Sequence, residues 1–227
     1  MSKDWTWDRS QVVAHCSLLT AHCSLLDAGA QIDTLKYMSS SNEVEIKFRV
    51  SSLDALTERL RALGFEQVTP RTHEMNTLFD LPGQPLRKRG ELLRLRKYGE
   101  TWVLTHKSKS AEEEGAHKSR IETETRIADG AKMEAILRAL QFEPSFRYEK
   151  FREEWKGGEG HVVIDETPIG NFAEIEGPAE WIDATARDLG VDRKDYMKEN
   201  YAGLFFSWKR ETGSKAGEMT FDAVESS

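Results

Sequence analysis

The sequence predicts an α+β fold, in which an eight-stranded antiparallel β-barrel encloses a charged lumen and helices pack outside. Three observations carry this prediction. The chain contains eight strand-like segments, these segments form four sequential pairs, and most of them alternate charged with apolar residues. A period of two places the charged side chains on one face of a strand and the apolar side chains on the other.

The first strand-like segment, 43–50, shows the alternation most clearly. Glu43, Glu45, Lys47 and Arg49 share one face, and the even positions through Val50 are apolar. A single strand with one solvated face would look the same. The acid-x-acid or base-x-base spacing recurs in most of the later segments, however, so we interpret these faces as converging on one interior.

The strands are bounded by clear turn signals. Tyr98-Gly99-Glu100 and the glycine-rich stretch 157–160 each predict a hairpin. Eight strands can close into a barrel, which removes unpaired edges. The predicted strands are residues 43–50, 74–80, 92–97, 101–107, 118–127, 148–156, 161–166 and 171–176.

Helices are predicted between and after the strands. Ser51 or Ser52 is expected to cap the first helix and Asp129 the second, because each precedes apolar residues at helical spacing. The basic run 87–90 follows a Pro-Gly loop, and it is interpreted either as a solvated turn or as a lip that attracts anions. The predicted helices cover residues 53–63, 131–140, about 178–190 and about 192–208.

The composition limits the function. At 227 residues the chain is expected to hold one domain with tails, and its net charge of −7 argues against a nucleic-acid-binding protein. No apolar run is long enough to span a bilayer, so no membrane partner is expected. The only cysteines, Cys16 and Cys23, lie in a duplicated AHCSLL motif. A disulfide framework is therefore excluded, and a reducing, cytoplasmic location is predicted.

Three regions are predicted along the chain. Residues 1–37 are interpreted as a disordered extension, with Met38 as a candidate translation start. Residues 38–210 form the folded domain. From 211 to 227 the chain is polar and without periodicity, so a disordered tail is expected.

The charged strand faces contain equal numbers of acids and bases. With the apolar faces turned outward onto the helices, these charges must line the lumen, and burying them is unfavourable unless the interior is wet and holds a charged ligand. The acids are Glu43, Glu45, Glu122, Glu124, Asp165, Glu174 and Glu176, and the bases are Lys47, Arg94, Arg96, Lys107, Arg120, Lys150 and Arg152.

A chain of phosphates is the ligand that best matches these groups. Arginine and lysine bind phosphate oxygens, and a single phosphate would not satisfy so many of them. The neighbouring carboxylates would repel phosphate unless a hard divalent cation bridged the two, which favours Mg²⁺ or Mn²⁺ over zinc.

Taken in this order, the charged motifs resemble the CYTH family, the triphosphate tunnel metalloenzymes. The resemblance starts with Glu43-x-Glu45-x-Lys47 and runs to about Trp208. It implies an eight-stranded tunnel, a bound triphosphate, and Mg²⁺ or Mn²⁺ as cofactor. It also implies that the seven acids supply metal ligands, of which only some touch the metal directly while the others bind it through water or orient basic neighbours. The seven bases would hold the triphosphate. Among them, Glu45, Lys47 and Arg152 are the expected catalytic residues.

The resemblance also implies a role for Tyr201, which matches a tyrosine that the family carries near the tunnel mouth. A purely structural role, with Tyr201 packing the last helix, is the alternative.

Two reactions remain open. The opening motif and the segment 169–176 are most similar to class IV adenylate cyclases, which convert ATP to cyclic AMP and pyrophosphate. Those cyclases carry a His-Phe pair upstream of the first motif, where this chain has Tyr37 and Met38. The alternative is a triphosphatase that releases orthophosphate from tripolyphosphate, thiamine triphosphate or a nucleotide. A binding module without catalysis is disfavoured by the number of carboxylates, and a homodimer is left open.

Overall fold

A computed structural model describes residues 41–109 and 117–227. The predicted N-terminal extension, the AHCSLL duplication, and Tyr37 and Met38 all lie outside the described residues.

The strands form a closed barrel in which every neighbouring pair is antiparallel. Its strand order is β1-β5-β4-β3-β2-β6-β7-β8, and β8 pairs back with β1. The predicted eight-stranded barrel is therefore confirmed. The strands are β1 (Ser41–Val50), β2 (Glu66–Asp80), β3 (Leu92–Tyr98), β4 (Thr101–Lys109), β5 (Lys118–Ile127), β6 (Glu143–Gly157), β7 (Gly160–Thr167) and β8 (Gly170–Glu176).

The strand β2 begins eight residues earlier than predicted. It pairs with β6 along nearly its whole length, with shifts of register between Gln67 and Thr69 and between Thr69 and Thr72. Pro70 lies within this irregular stretch. Because proline cannot donate to a strand ladder, it is tolerated at such irregularities, and it hides the strand from an analysis based on alternation.

Six helices are present in the described residues. Ser52 and Asp129 accept the capping hydrogen bonds of the first and third, as predicted, and Asn200 caps the fifth. The helices are α1 (Leu53–Ala62), α2 (Pro85–Arg89), α3 (Gly130–Ala139), α4 (Ala179–Asp188), α5 (Tyr201–Thr212) and α6 (Phe221–Glu225).

Two predictions about these segments are corrected. The basic run, predicted as a turn or a lip, is helical at residues 87–89, which belong to the short helix α2. The first turn of α2 donates backbone N–H groups from Leu86 and Arg87 to the Asp80 carboxylate at 3.1 and 3.0 Å. The predicted helix over 192–208 is interrupted. A 3₁₀ turn at Arg193–Asp195 is followed by extended chain that bridges to Lys47 in β1, and α5 begins only after that.

The apolar strand faces point outward, as predicted. Ile46, Val162 and Ile164 are buried together with Leu60 of α1 and Ile182 of α4. On another side of the barrel, Leu95 and Phe79 pack against Leu137 of α3. The hydrophobic core thus lies between the barrel wall and the helices, which leaves the lumen to polar groups.

One end of the barrel is filled by α5. Phe146 and Tyr148 share a strand face with the lumenal Lys150, and both contact this helix. The ring centroids of Phe146 and Phe205 lie 5.5 Å apart, and those of Tyr148 and Tyr201 lie 5.7 Å apart. The helix α5 therefore closes the barrel on one side and brings Tyr201 to the lumen.

The C-terminal tail was expected to be disordered, but the structure folds it against the barrel. Met219 is fully buried, its N–H donates to the Arg147 carbonyl at 3.1 Å, and its carbonyl accepts from the Glu149 N–H at 3.0 Å. β7 pairs with β6 only from Phe151 onward, so the first half of β6 has free backbone groups on that edge. The tail occupies this edge, and α6 follows it.

None of the helices found in residues 41–109 and 117–227 combines the length and apolar character needed to cross a membrane.

Candidate active site

The inward strand faces line a cavity of about 390 Å³ inside the barrel. Seven basic and seven acidic side chains contribute to its walls. The bases are Lys47, Arg94, Arg96, Lys107, Lys118, Lys150 and Arg152, and the acids are Glu43, Glu45, Glu122, Glu124, Glu154, Glu174 and Glu176. We refer to this cavity as the tunnel.

The structure brings twelve of the fourteen predicted site residues to the tunnel wall. Asp165 is instead enclosed behind the wall, and Arg120 lines a neighbouring cavity. Sequence analysis missed Lys118 and Glu154, although each continues the alternation of its strand by two positions beyond a predicted residue. It also missed Glu74, which is fully buried among the bases and belongs to a strand without a repeated acidic motif.

Asp165 holds basic and aromatic neighbours in place. Its carboxylate accepts two hydrogen bonds from Arg152, both at 2.7 Å, one from Lys150 at 2.9 Å, and one from the Tyr201 hydroxyl at 2.5 Å. With these four bonds, both oxygens of this fully buried carboxylate are occupied. Asp165 is therefore arranged to orient the bases, which is one of the roles expected for the acids.

Tyr201 packs with its ring against Tyr148 and donates a hydrogen bond from its hydroxyl to Asp165. Burial, and then the negative charges of Asp165 and Glu174, raise the pKa of its hydroxyl well above the usual value, so it remains a neutral donor. Its ring lies 4.3 Å from the Lys47 ammonium and 4.7 Å from the Lys150 ammonium. The two alternatives considered for this residue are therefore not exclusive.

Glu74 counterbalances the bases at the back of the tunnel. It lies 3.4 Å from the Lys150 ammonium and 3.7 Å from Arg96, and it accepts from the Asn76 amide at 2.9 Å. Burial alone would raise the pKa of Glu74, but the charges of Lys150, Arg152 and Arg96 outweigh it and hold the pKa well below the ordinary value. Glu74 is thus ionised.

Lys47 is fixed at the centre of one wall. Its ammonium lies 2.9 Å from Glu174 and donates to the Glu199 carbonyl at 3.3 Å. Burial would lower the pKa of Lys47, but Glu174 and then Glu45 raise it above the ordinary value. The lysine is therefore a permanent cation and not a proton acceptor.

Arg94 and Arg96 are held more loosely than the other bases. Arg94 is 3.7 Å from Glu122, and Arg96 is 3.6 Å from Glu124, which is longer than a direct hydrogen bond. The Nε atoms of both arginines are buried, and neither has a hydrogen-bond partner among the described residues. These donors are available to an anionic ligand.

A group of carboxylates lies at the other side of the tunnel. Burial, followed by repulsion from Glu43 and Glu45, raises the pKa of Glu176 to about 7. Lys107 approaches Glu43 at 2.5 Å, and Lys118 forms an ion pair with Glu45. The mutual repulsion of three oxygen donors is the environment that a bound cation would relieve.

These oxygen donors suit the cation that the sequence predicted. Carboxylates are the preferred protein ligands of Mg²⁺ and Mn²⁺. Within the described ranges, no three Asp, Glu, His or Cys side chains are already arranged as a metal site. Because lysines hold Glu43 and Glu45, these ion pairs would have to open for a cation to bind.

A second cavity of about 230 Å³ adjoins the tunnel, and we refer to it as the side cavity. Leu78, Leu92, Asn200 and Ala202 line both spaces. Arg120 extends into the side cavity, where its Nη1 donates to the Gly90 carbonyl at 2.6 Å. The structure thus separates Arg120 from the bases that line the tunnel.

Comparison with known proteins identifies the same architecture elsewhere. The model of the CYTH domain family matches residues 41–201. Adenylate cyclase CyaB of Aeromonas hydrophila is 30% identical over 138 residues, which cover 59% of this chain and 67% of that protein.

Two solved structures share the fold. A provisionally named adenylate cyclase from Vibrio parahaemolyticus aligns with a TM-score of 0.65 at 21% identity, covering 74% of this chain and 99% of the other. An adenylyl cyclase by name from Hippeastrum, described with a dominant triphosphatase activity, aligns with a TM-score of 0.53 at 22% identity, covering 73% of this chain and 95% of the other.

Proposed function

Because the chain belongs to the CYTH domain family, we propose that it is a divalent-metal-dependent enzyme that acts on the triphosphate of a nucleotide. The preferred reaction is that of a class IV adenylate cyclase, which converts ATP to cyclic AMP and pyrophosphate. The observation that carries the proposal is the tunnel itself, in which seven bases and seven acids face one enclosed space.

The bases provide the triphosphate site. Arg94 and Arg96 have buried Nε donors without partners in the described part of the chain, so phosphate oxygens would complete their hydrogen bonding. Arg152 is held rigidly by Asp165 and Glu174. A rigid guanidinium stabilises charge that develops on a phosphate without having to reorganise during the reaction.

The metal would be held at the carboxylate side of the tunnel, by Glu43, Glu45 and Glu176, with Glu122 and Glu124 nearby. When bound, it would polarise phosphate oxygens and favour deprotonation of the attacking hydroxyl. For these carboxylates to bind a cation, Lys107 and Lys118 must leave Glu43 and Glu45. Both lysines line the tunnel, so they can turn toward phosphate oxygens instead.

Three residues of the tunnel would assist the cyclase reaction. In the cyclase, the ribose 3′-oxygen forms a bond to the α-phosphorus, and the bond between that phosphorus and the α,β-bridging oxygen breaks, so that pyrophosphate leaves. The hydroxyl proton passes to water. Arg152 and Lys47, both permanent cations, would stabilise the negative charge on the phosphates. Tyr201 would keep Asp165, and through it Arg152, in position.

A triphosphatase is the second candidate. It uses the same tunnel, with water attacking the terminal phosphate. Two observations favour it: the Hippeastrum protein of this fold has a dominant triphosphatase activity, and Tyr37 and Met38 replace the His-Phe pair of class IV cyclases.

The test is a product analysis of the purified chain with Mg²⁺ or Mn²⁺. ATP, tripolyphosphate and thiamine triphosphate are supplied separately, and the products are resolved by ion-exchange chromatography. We expect cyclic AMP with equimolar pyrophosphate from ATP. Orthophosphate without cyclic nucleotide would establish the triphosphatase, and no turnover of any substrate would contradict the proposal.

A further inference from the structure

The side cavity lies where the tunnel meets α5. Its walls come from the end of β2, the helix α2, the start of β3 and the first turns of α5, and its apolar lining includes Phe146 and Phe206. Pockets for drug-sized ligands typically measure roughly 300–1,000 Å³. At about 230 Å³, this cavity suits a smaller group, of the size of one ring system.

The two cavities are direct neighbours. Leu78, Leu92, Asn200 and Ala202 line both of them, so one ligand that passes these four residues could extend from the tunnel into the side cavity. The tunnel is highly charged, whereas the lining of the side cavity includes three phenylalanines and several aliphatic side chains. A ligand with a polyanionic part and a flat apolar part would match both environments at once.

Arg120 supplies the polar anchor of the side cavity. Its Nη1 donates to the Gly90 carbonyl, but its Nε is buried, and no described residue accepts a hydrogen bond from it. A buried donor without a partner is unfavourable, and such groups in native proteins generally have a partner. A ligand that offers a ring nitrogen or a carbonyl oxygen would satisfy this donor.

The charges around the cavity disfavour a cationic ring. Arg120 and Arg87 both line it. The acids nearby are already paired: Asp80 accepts from three backbone N–H groups, and Glu91 accepts from Arg89 at 2.9 and 2.8 Å. A neutral heterocycle with acceptor atoms fits this arrangement better than a thiazolium ring does.

We propose that the side cavity binds the base of a nucleoside triphosphate, with Arg120 donating to the base and the adjacent rings of Phe146 and Phe206 providing an apolar contact surface for it. Aromatic side chains are common stacking partners of nucleobases. The proposal rests on the proposed function, because the triphosphate in the tunnel places the base. It assigns Arg120 to recognition of the base, whereas the sequence predicted that it holds phosphate.

The test compares the binding of ATP and tripolyphosphate to the full chain by isothermal titration calorimetry. Ca²⁺ replaces Mg²⁺ to suppress turnover, and chromatography verifies that both ligands stay intact. In the unmodified protein we expect ATP to bind about tenfold more tightly. In Arg120→Met, we expect ATP binding to weaken about tenfold while tripolyphosphate binding changes less than about threefold.

The matched control is Arg138→Met. Arg138 pairs with Glu134 on the outer helix α3, so neither affinity should change. A second variant, Phe206→Leu, keeps an apolar side chain at a position that is 39% exposed, and it tests the cavity without altering a buried charge. It should weaken ATP binding several-fold and leave tripolyphosphate binding unchanged.

Four results would overturn the inference, and they separate it from the proposed function. If Arg120→Met weakened the binding of ATP and tripolyphosphate equally, Arg120 would contact the phosphates and not the base. Two variants that both bind ATP normally would show that the cavity is not used. An unmodified protein that binds tripolyphosphate as tightly as ATP would exclude a base site but leave the triphosphate tunnel standing. Failure to bind either ligand would contradict the proposed function itself.

Discussion

At the scale of single residues, the site is governed by how buried charges are paired. Asp165 is saturated by Arg152, Lys150 and Tyr201, and Glu74 is surrounded by bases. Removing one partner of such a pair leaves an uncompensated buried charge, which costs more than the pair itself contributes. Substitutions in the tunnel therefore affect stability as well as chemistry, and each functional test needs a stability measurement beside it.

Glu45→Gln tests the carboxylate side of the tunnel. Glu45 is 8% exposed and pairs with Lys118. We expect turnover to fall about 100-fold or more, because loss of a residue that only supports a metal ligand already lowers metal affinity or activity about 10–100-fold. Steady-state kinetics with Mg²⁺ measures the effect, and circular dichroism verifies the fold. The exposed Glu58→Gln on α1 is the control, and full activity in Glu45→Gln would contradict a metal-binding role.

The raised pKa of Glu176 predicts that the stability of the protein without divalent cations depends on pH. The pKa of Glu176 is raised from 4.5 to about 7, so the folded state holds more protons than the unfolded state between these values. Stability must then fall as pH rises through this window. Glu176→Gln lacks this loss, and we expect it to be more stable than the unmodified protein by on the order of 2 kcal/mol at pH 8.

Urea unfolding in EDTA at pH 5 and pH 8 measures this difference. Addition of Mg²⁺ should recover stability at pH 8 in the unmodified protein and less so in Glu176→Gln. A difference between the two proteins that is the same at both pH values would contradict the raised pKa.

At the scale of elements, α5 and the tail determine how the barrel is closed. The helix contributes Tyr201 to the lumen and Phe205 to the core at that end, and the tail holds the free edge of β6 through Met219. The tail is therefore part of the folded domain, although it lies beyond the region that the family model matches.

Met219→Ala tests this arrangement. Because Met219 is fully buried, we expect the free energy of unfolding to fall by about 2–5 kcal/mol. Chemical denaturation measures the change. Ile136→Ala is a suitable control, since Ile136 is 52% exposed, and its effect should be far smaller. An equally small effect in Met219→Ala would support the disordered tail that the sequence predicted.

At the scale of the whole molecule, the barrel has its apolar strand faces on the outside and its charged faces on the inside. Its hydrophobic core lies under the outer helices, and its centre holds charged groups, among them the mutually repelling carboxylates of Glu43, Glu45 and Glu176. A ligand that binds the folded protein but not the unfolded chain must stabilise the folded state by mass action.

Tripolyphosphate with Mg²⁺ should therefore stabilise the folded protein. At a ligand concentration 100 times the Kd, the expected gain is about 2.7 kcal/mol. Thermal unfolding with increasing ligand measures it as a rise in Tm. Adenosine, which lacks phosphate, serves as the control, and an equal rise with adenosine would contradict a triphosphate site.

The sequence alone determined the barrel and most of its lumen. Alternation with a period of two decides which face each side chain takes, so Glu43, Glu45 and Lys47 had to share one face whatever the strand order. Because the opposite faces are apolar and need helices to cover them, the charged faces could only converge inside. The two hairpins and the helix caps at Ser52 and Asp129 followed from equally local signals.

The tertiary structure decided what each inward residue contacts. Alternation cannot tell how deep a side chain lies, and depth depends on register and on what covers each end of the barrel. Arg120 contacts Gly90, the residue after α2, and lines the side cavity instead of the tunnel, whereas Asp165 is enclosed by Arg152 and Tyr201. These contacts join strands and helices that are far apart in the chain, and for that reason no local pattern reveals them.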